Sequence, residues 1–163
     1  MHDVTIPPEA IQDPVERNLP GLGEGRDPER TPMQWDDSPH AGFSTAAPWL
    51  PVADDFRTEN VVHQRTDPRS MLSLYRRLIE LRRASPALSV GSFREIYVDD
   101  DVLVYARDSG AERRVVALNL SHAERQLPGE LEGGHHLILS TYLDSGEPGR
   151  LRPDEGVILS PSA

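Results

Sequence analysis

Proline density is the feature that most constrains this chain. Pro7, Pro8, Pro14, Pro20, Pro28, Pro32, Pro39, Pro48 and Pro51 crowd residues 1–66, with Gly21, Gly23, Gly25 and Gly42 between them. Each proline removes a backbone donor and fixes φ, which closes this stretch to long helices and central strands. Disorder would be the simplest outcome. It is opposed by Trp35, Trp49, Phe43, Phe56, Met33 and Leu50, because disordered segments are poor in aromatics. A loop of this length is rare in a compact domain and is usually functional when ordered. The expectation is an ordered, irregular loop that packs onto something. Composition agrees, since 37% hydrophobic residues is low for a compact chain of 163 residues.

Past the loop, periodicity returns. Met71, Leu72, Leu74, Tyr75, Leu78, Ile79 and Leu81 recur at helical spacing. Asp67 suits an N-cap and Pro68 the first helical position, so the pattern predicts one helix over 67–84. Arg76, Arg77 and Arg83 occupy the polar side, and Arg82 and Arg83 suit the negative end of the dipole. Ser85-Pro86 ends the helix. From residue 90 on, short β-rich runs alternate with Gly, Asp and Pro turns. They cover Phe93–Tyr97, Val102–Arg107, Arg114–Leu120, His135–Thr141 and Gly156–Leu159. This pattern predicts an antiparallel sheet or sandwich.

Charge and composition exclude several partners. The net charge is −10, from 17 Lys and Arg against 27 Asp and Glu. Nucleic acid and anionic membrane surfaces need a basic face, so neither is expected. No run reaches the roughly 20 apolar residues of a membrane span. There is no cysteine, hence no disulfide framework and no thiolate metal site. The absence of a leader after Met1 and of cysteine fits a cytoplasmic protein. His2, His40, His63, His122, His135 and His136 show no metal-binding spacing, and His135 and His136 would point to opposite faces of a strand. Asp99-Asp100-Asp101 lacks the spaced ligands of a calcium loop and reads as a hairpin turn. No cofactor is implied. Carboxylates are plentiful, but composition selects no catalytic pair among them.

One string is more specific. Gly25-Arg26-Asp27-Pro28-Glu29-Arg30-Thr31-Pro32-Met33-Gln34-Trp35-Asp36 resembles the loop after the eighth barrel strand in α-glucosidases and oligo-1,6-glucosidases of the α-amylase superfamily (glycoside hydrolase family 13). Ile6-Pro7-Pro8-Glu9, Ile11-Gln12-Asp13-Pro14, Ala41-Gly42-Phe43-Ser44, Pro48-Trp49-Leu50-Pro51, Asn60-Val61-Val62 and Ser73-Leu74-Tyr75-Arg76-Arg77-Leu78-Ile79 follow the family's order. The resemblance covers roughly residues 1–90. The β region matches in character and position, without a specific motif.

The resemblance implies an α+β fragment: the irregular loop and last helix of a (β/α)8 barrel, followed by an antiparallel β-sandwich domain. Residues 1–89 would end the catalytic barrel, and residues 90–163 would form the C-terminal β domain. The family's chemistry is retaining hydrolysis by two carboxylates about 5–5.5 Å apart, with a third steadying the transition state. No residue here matches those motifs. A complete barrel takes about 250 residues, more than precede the β region. The expectation is therefore a misplaced start at Met1, a truncated gene or one half of a split gene, inactive by itself, whose partner is the missing catalytic barrel.

Substrate contact is what carries over. An Arg of this loop hydrogen-bonds terminal glucose in the family, and Arg26 and Arg30 both qualify as substrate-binding residues for an α-glucoside oligosaccharide. A guanidinium presents a planar fork to paired oxygens. The competing expectation ties one of them only to Asp27, Glu29 or Asp36. Gln34 and Trp35 are expected to hold the loop in place. Two further readings stay open: a trehalose synthase or sucrose isomerase sharing the Arg-Thr-Pro-x-Gln-Trp string, and a non-catalytic sugar-binding or barrel-docking β module. With Leu72, Tyr75, Leu78 and Ile79 deprived of a barrel, the isolated chain is expected to self-associate.

Overall fold

A computed structural model describes residues 4–21, 25–131, 134–147 and 149–162. Met1, His2 and Gly23, considered above, lie outside the described residues. The chain divides into two compact units, residues 1–72 and 73–163. The whole is a mixed α/β chain built around an antiparallel sheet.

The first unit is ordered with little regular structure, as the prolines dictate. Its helical pieces are short. Helix α1 (Pro14–Asn18) opens with Asp13 as N-cap and Pro14 at its first position. Single 3-10 turns follow at Pro28–Arg30 and Pro39–Gly42. Helix α2 (Val61–Thr66) starts at Asn60, whose side-chain oxygen accepts the His63 N–H at 3.0 Å while its amide donates to Phe56 O at 2.8 Å. The sequence pattern does not show this helix, because six residues give too short a period.

Helix α3 covers Met71–Ala84, four residues shorter at its start than the expected 67–84. The correction has a physical cause. Asp67 closes α2 instead of opening α3: its N–H reaches His63 O, and its carboxylate turns back to the Arg69 N–H at 2.8 Å. Gln64 supplies the real start, where its side-chain oxygen accepts the Leu72 N–H and its carbonyl accepts the Ser70 hydroxyl. Ser85 then ends α3 and caps α4 (Pro86–Val90).

Among its described residues the second unit holds seven strands: β1 (Ser92–Val98), β2 (Val102–Ser109), β3 (Glu112–Asn119), β4 (Arg125–Gln126), β5 (His135–Ser140), β6 (Arg150–Leu151) and β7 (Gly156–Pro161). β1, β2, β3, β7 and β5 lie side by side in that order, and β4 pairs with β6 in a separate ribbon. All pairings are antiparallel. The two ribbon strands are absent from the sequence expectation, because two residues carry no alternation.

Alternation along the strands decides which side chains meet. Val102 and Val104, Val115 and Ala117, and Val157 and Leu159 project to one face and form a core with Leu127, Leu131 and Leu151. The ribbon thus covers one side of the sheet. The opposite face is apolar too. Leu103, Tyr105, Val116, Leu118, Leu139 and Ile158 line a groove of about 730 Å³ there, together with Leu78 and Leu88 of the helices. This explains the unbroken Val115-Val116-Ala117-Leu118 run, which has an apolar environment on both sides.

Several polar groups in this unit are held in networks, while Arg114 Nε and His135 Nδ1 are buried without a hydrogen-bond partner among the described residues. Asp99 accepts the Asp101 and Val102 N–H groups and the Tyr97 hydroxyl, so the Asp99–Asp101 run is a hairpin turn. Glu155, buried to 1% exposure, meets the Ser140 hydroxyl and the Arg152 guanidinium at 2.6 Å. Arg152 also grips Asp144 and lies 4.0 Å over the Tyr142 ring. Burial opposes ionisation of Glu155, but Arg152 and Ser140 outweigh it and hold the carboxyl below its usual range.

Candidate functional site

The string that carries the family resemblance folds around two buried carboxylates. Gly25 adopts φ +62 and turns the chain so that Arg26 comes back against Asp13. A side chain at position 25 would meet that conformation badly and would also press on Asp13 at 3.1 Å. Asp13 and Asp27 are each 1% exposed. The two interlock. Asp27 Oδ2 accepts the backbone N–H groups of Gln12 and Asp13, at 2.5 and 2.8 Å. Asp13 in turn accepts from Val15 N–H through Oδ1, and from the Arg26 N–H through Oδ2.

Both candidate arginines gather at Asp13. Arg26 donates Nε to Asp13 Oδ2 at 3.4 Å, and Arg30 Nη2 lies 3.9 Å from the same oxygen. Neither pairs with Asp27, Glu29 or Asp36 among the described residues, which corrects the tie expected from sequence. The reason is the reversal at Gly25, which places the arginines against α1 instead of against their own neighbours. The Arg26 side chain is 67% exposed and the Arg30 side chain 36%. Among the described residues Arg26 engages through Nε alone, and its Nη1 and Nη2 have no hydrogen-bond partner there. Asp27 Oδ1 is buried with no hydrogen-bond partner among the described residues.

The electrostatics suit a fixed anionic anchor. The Val15 N–H bond is the main influence lowering the Asp13 carboxyl below its ordinary range. Burial opposes it, and the Arg26 N–H and guanidinium add to it. Asp13 is therefore a carboxylate throughout the neutral range. The arrangement offers exposed guanidinium donors held by a buried carboxylate, and guanidinium donors suit hydroxyl oxygens.

Behind this cluster the loop is pinned by Gln34. It is 1% exposed, donates Nε2 to Asp55 at 2.8 Å, and its carbonyl accepts the Val61 N–H. That fits the expected holding role. Trp35 departs from it. Its residue is 46% exposed, and the backbone does the holding, through Trp35 N–H to Ala41 O and Val62 N–H to Trp35 O. A left-handed turn at His40, Ala41 and Gly42 makes this possible. Among the described residues no group of three His, Asp or Glu converges to hold a metal ion. None of the helices among them is long and apolar enough to cross a membrane.

Asp13 and Asp27 are the functional-looking residues that sequence reasoning did not single out. A signal was present, since each precedes a proline as Asp67 does, and Asp-Pro marks a capped chain entry.

Comparison with known proteins finds similar sequences and a similar fold. A family model described as "Alpha amylase, catalytic domain" matches residues 1–91. A probable α-glucosidase of Rhizobium meliloti (strain 1021) is 37% identical over 142 residues, covering 83% of this chain and 25% of that protein. The oligo-1,6-glucosidase of Parageobacillus thermoglucosidasius is 40% identical over 99 residues, covering 60% and 18%. Among solved structures, trehalulose synthase from Pseudomonas mesoacidophila MX-45 superposes with a TM-score of 0.81 at 28% identity, covering 99% of this chain and 34% of that one. The chain thus spans a quarter or less of the length of these two curated relatives. With more than half of its residues matched by the family model, the chain belongs to the α-amylase family.

Proposed function

We propose that this chain is part of an α-glucosidase that releases terminal α-linked glucose from short oligosaccharides with retention of configuration. The observation that carries the reading is the Arg26–Arg30 cluster around Asp13, in a segment similar to proteins named α-glucosidase and oligo-1,6-glucosidase. In the longer enzyme, Arg26 and Arg30 hold glucose hydroxyls. The nucleophile, the acid/base and the third carboxylate belong to parts of the enzyme outside this segment. The 163-residue chain alone is inactive on maltose and isomaltose. Its exposed stripe of Met71, Tyr75 and Ile79 on α3 belongs against that same partner, and the isolated chain self-associates through it.

Kinetics of the longer enzyme test the sugar contact. Arg26→Ala or Arg30→Ala is expected to lower kcat/KM roughly 10- to 100-fold, the equivalent of one charged hydrogen bond. Unchanged kcat/KM in both variants would sink the reading. A second reading, an enzyme that rearranges a disaccharide, is favoured by the structural likeness to a trehalulose synthase. Product identity separates the two.

A further inference from the structure

The arginines are exposed, but the group that gathers them is not. Asp13 is 1% exposed and cannot itself reach a sugar. Its carboxylate is also unable to turn away. Oδ1 is fixed by the Val15 N–H at 2.9 Å, and the residue's own N–H is fixed by Asp27 Oδ2 at 2.8 Å. Oδ2 faces the arginines, taking Arg26 Nε at 3.4 Å with Arg30 Nη2 3.9 Å away. Two guanidiniums brought close together repel one another, and a carboxylate between them offsets that repulsion. Engagement through Nε leaves Nη1 and Nη2 of Arg26 without a hydrogen-bond partner among the described residues, and that edge suits paired oxygens.

We propose that Asp13 is a positioning residue for substrate binding, which presets the Arg26 and Arg30 guanidiniums for sugar hydroxyls from a buried, immobile anchor. The inference rests on the reading that these arginines contact the substrate. An unanchored guanidinium on its flexible stem must give up rotamer freedom when it binds, and an anchored one has already done so. Loss of the anchor therefore weakens binding more than it slows the chemical step.

The test uses the longer enzyme that the proposed function implies. Asp13→Asn keeps the size and a side-chain oxygen for the α1 cap while removing the charge. KM for maltose is expected to rise roughly three- to tenfold with kcat within about twofold, while loss of the buried charge lowers Tm only slightly. Asp13→Ser, which caps the helix but falls short of the arginines, should behave alike. In an Arg26→Ala, Arg30→Ala background, Asp13→Asn should add no further rise, because the residue acts through those side chains. An unchanged KM overturns the proposal. So does a parallel fall of kcat and Tm in both variants, which marks a purely structural residue. If Arg26→Ala and Arg30→Ala leave KM untouched, the sugar contact itself is wrong. If they raise it and Asp13→Asn does not, only the positioning role fails.

Discussion

The two units of this chain reach order by opposite means. Residues 73–162 use side chains of low polarity. Six β-branched or aliphatic residues on three strands pack against Leu127, Leu131 and Leu151, and the backbone pairs strand to strand. Residues 4–72 have few such residues to bury. Their buried side chains include Asp13, Asp27 and Asn60, which accept backbone N–H groups that prolines and turns leave unpaired, and Gln34, which donates to Asp55. A surface that must present polar groups to a ligand is built more readily from the second kind of packing.

The aromatic residues allow this contrast to be probed directly. Trp35 and Trp49, the chain's 2 tryptophans, lie in the first unit, and its 4 tyrosines, Tyr75, Tyr97, Tyr105 and Tyr142, lie in the second. Tryptophan and tyrosine signals therefore follow different units in one denaturation.

The largest effect should come from the hydrophobic side. Leu151 is fully buried, and Leu151→Ala is expected to cost about 2–5 kcal/mol. The tyrosine transition in urea should shift by that amount while the tryptophan transition moves little. Coincident shifts in both signals would break the comparison. Next is the ion-pair cluster. Arg152→Met strands the buried Glu155 carboxylate and should cost about 2 kcal/mol, again in the tyrosine signal. Glu155→Gln combined with Arg152→Met should recover part of that loss.

In the irregular unit the sharpest single change is Gly42→Ala. Gly42 sits at φ +64, and a Cβ there would lie 2.5 Å from the Asp36 carboxylate. A cost of about 1–2 kcal/mol is expected, visible in Trp35 near-ultraviolet circular dichroism and absent from the tyrosine transition. Acid provides a gentler comparison. Glu155 has a lowered pKa in the fold, so its contribution is complete above its ordinary value near 4.5 and fades as pH falls below it. Asp13 and Asp36 behave likewise from a lower starting value near 3.8. The tyrosine signal should begin to respond to acid at a higher pH than the tryptophan signal. The reverse order would contradict these assignments. The smallest effect belongs to His122, whose exposed pair with Asp154 raises its pKa. Its contribution is present below its ordinary value near 6.5 and lost as pH rises through the raised one, and His122→Ala should leave the melting curve unchanged.

These contrasts also explain what could be read from the sequence. The strands were legible because Val102–Arg107 and Arg114–Leu120 have strong β composition bounded by Asp and Gly turns. The β4–β6 ribbon was not, because Arg125-Gln126 and Arg150-Leu151 are strands only by virtue of each other. Helix α3 was legible, but its start was not. Asp67-Pro68 reads as a cap locally, whereas Gln64, one helix earlier, supplies the contacts that open α3. At the site, Arg26 and Arg30 were evident from the motif. Their common partner was not, since Asp13 is 13 positions from Arg26 and meets it only through the turn at Gly25. Motifs name exposed donors readily. The buried groups that aim them come from chain geometry.

Product analysis of the longer enzyme tests the central claim most directly. Incubated with maltose, isomaltose and sucrose, it is predicted to yield free glucose and no rearranged disaccharide. Accumulation of an isomerised disaccharide as the main product would contradict the account and favour the synthase reading.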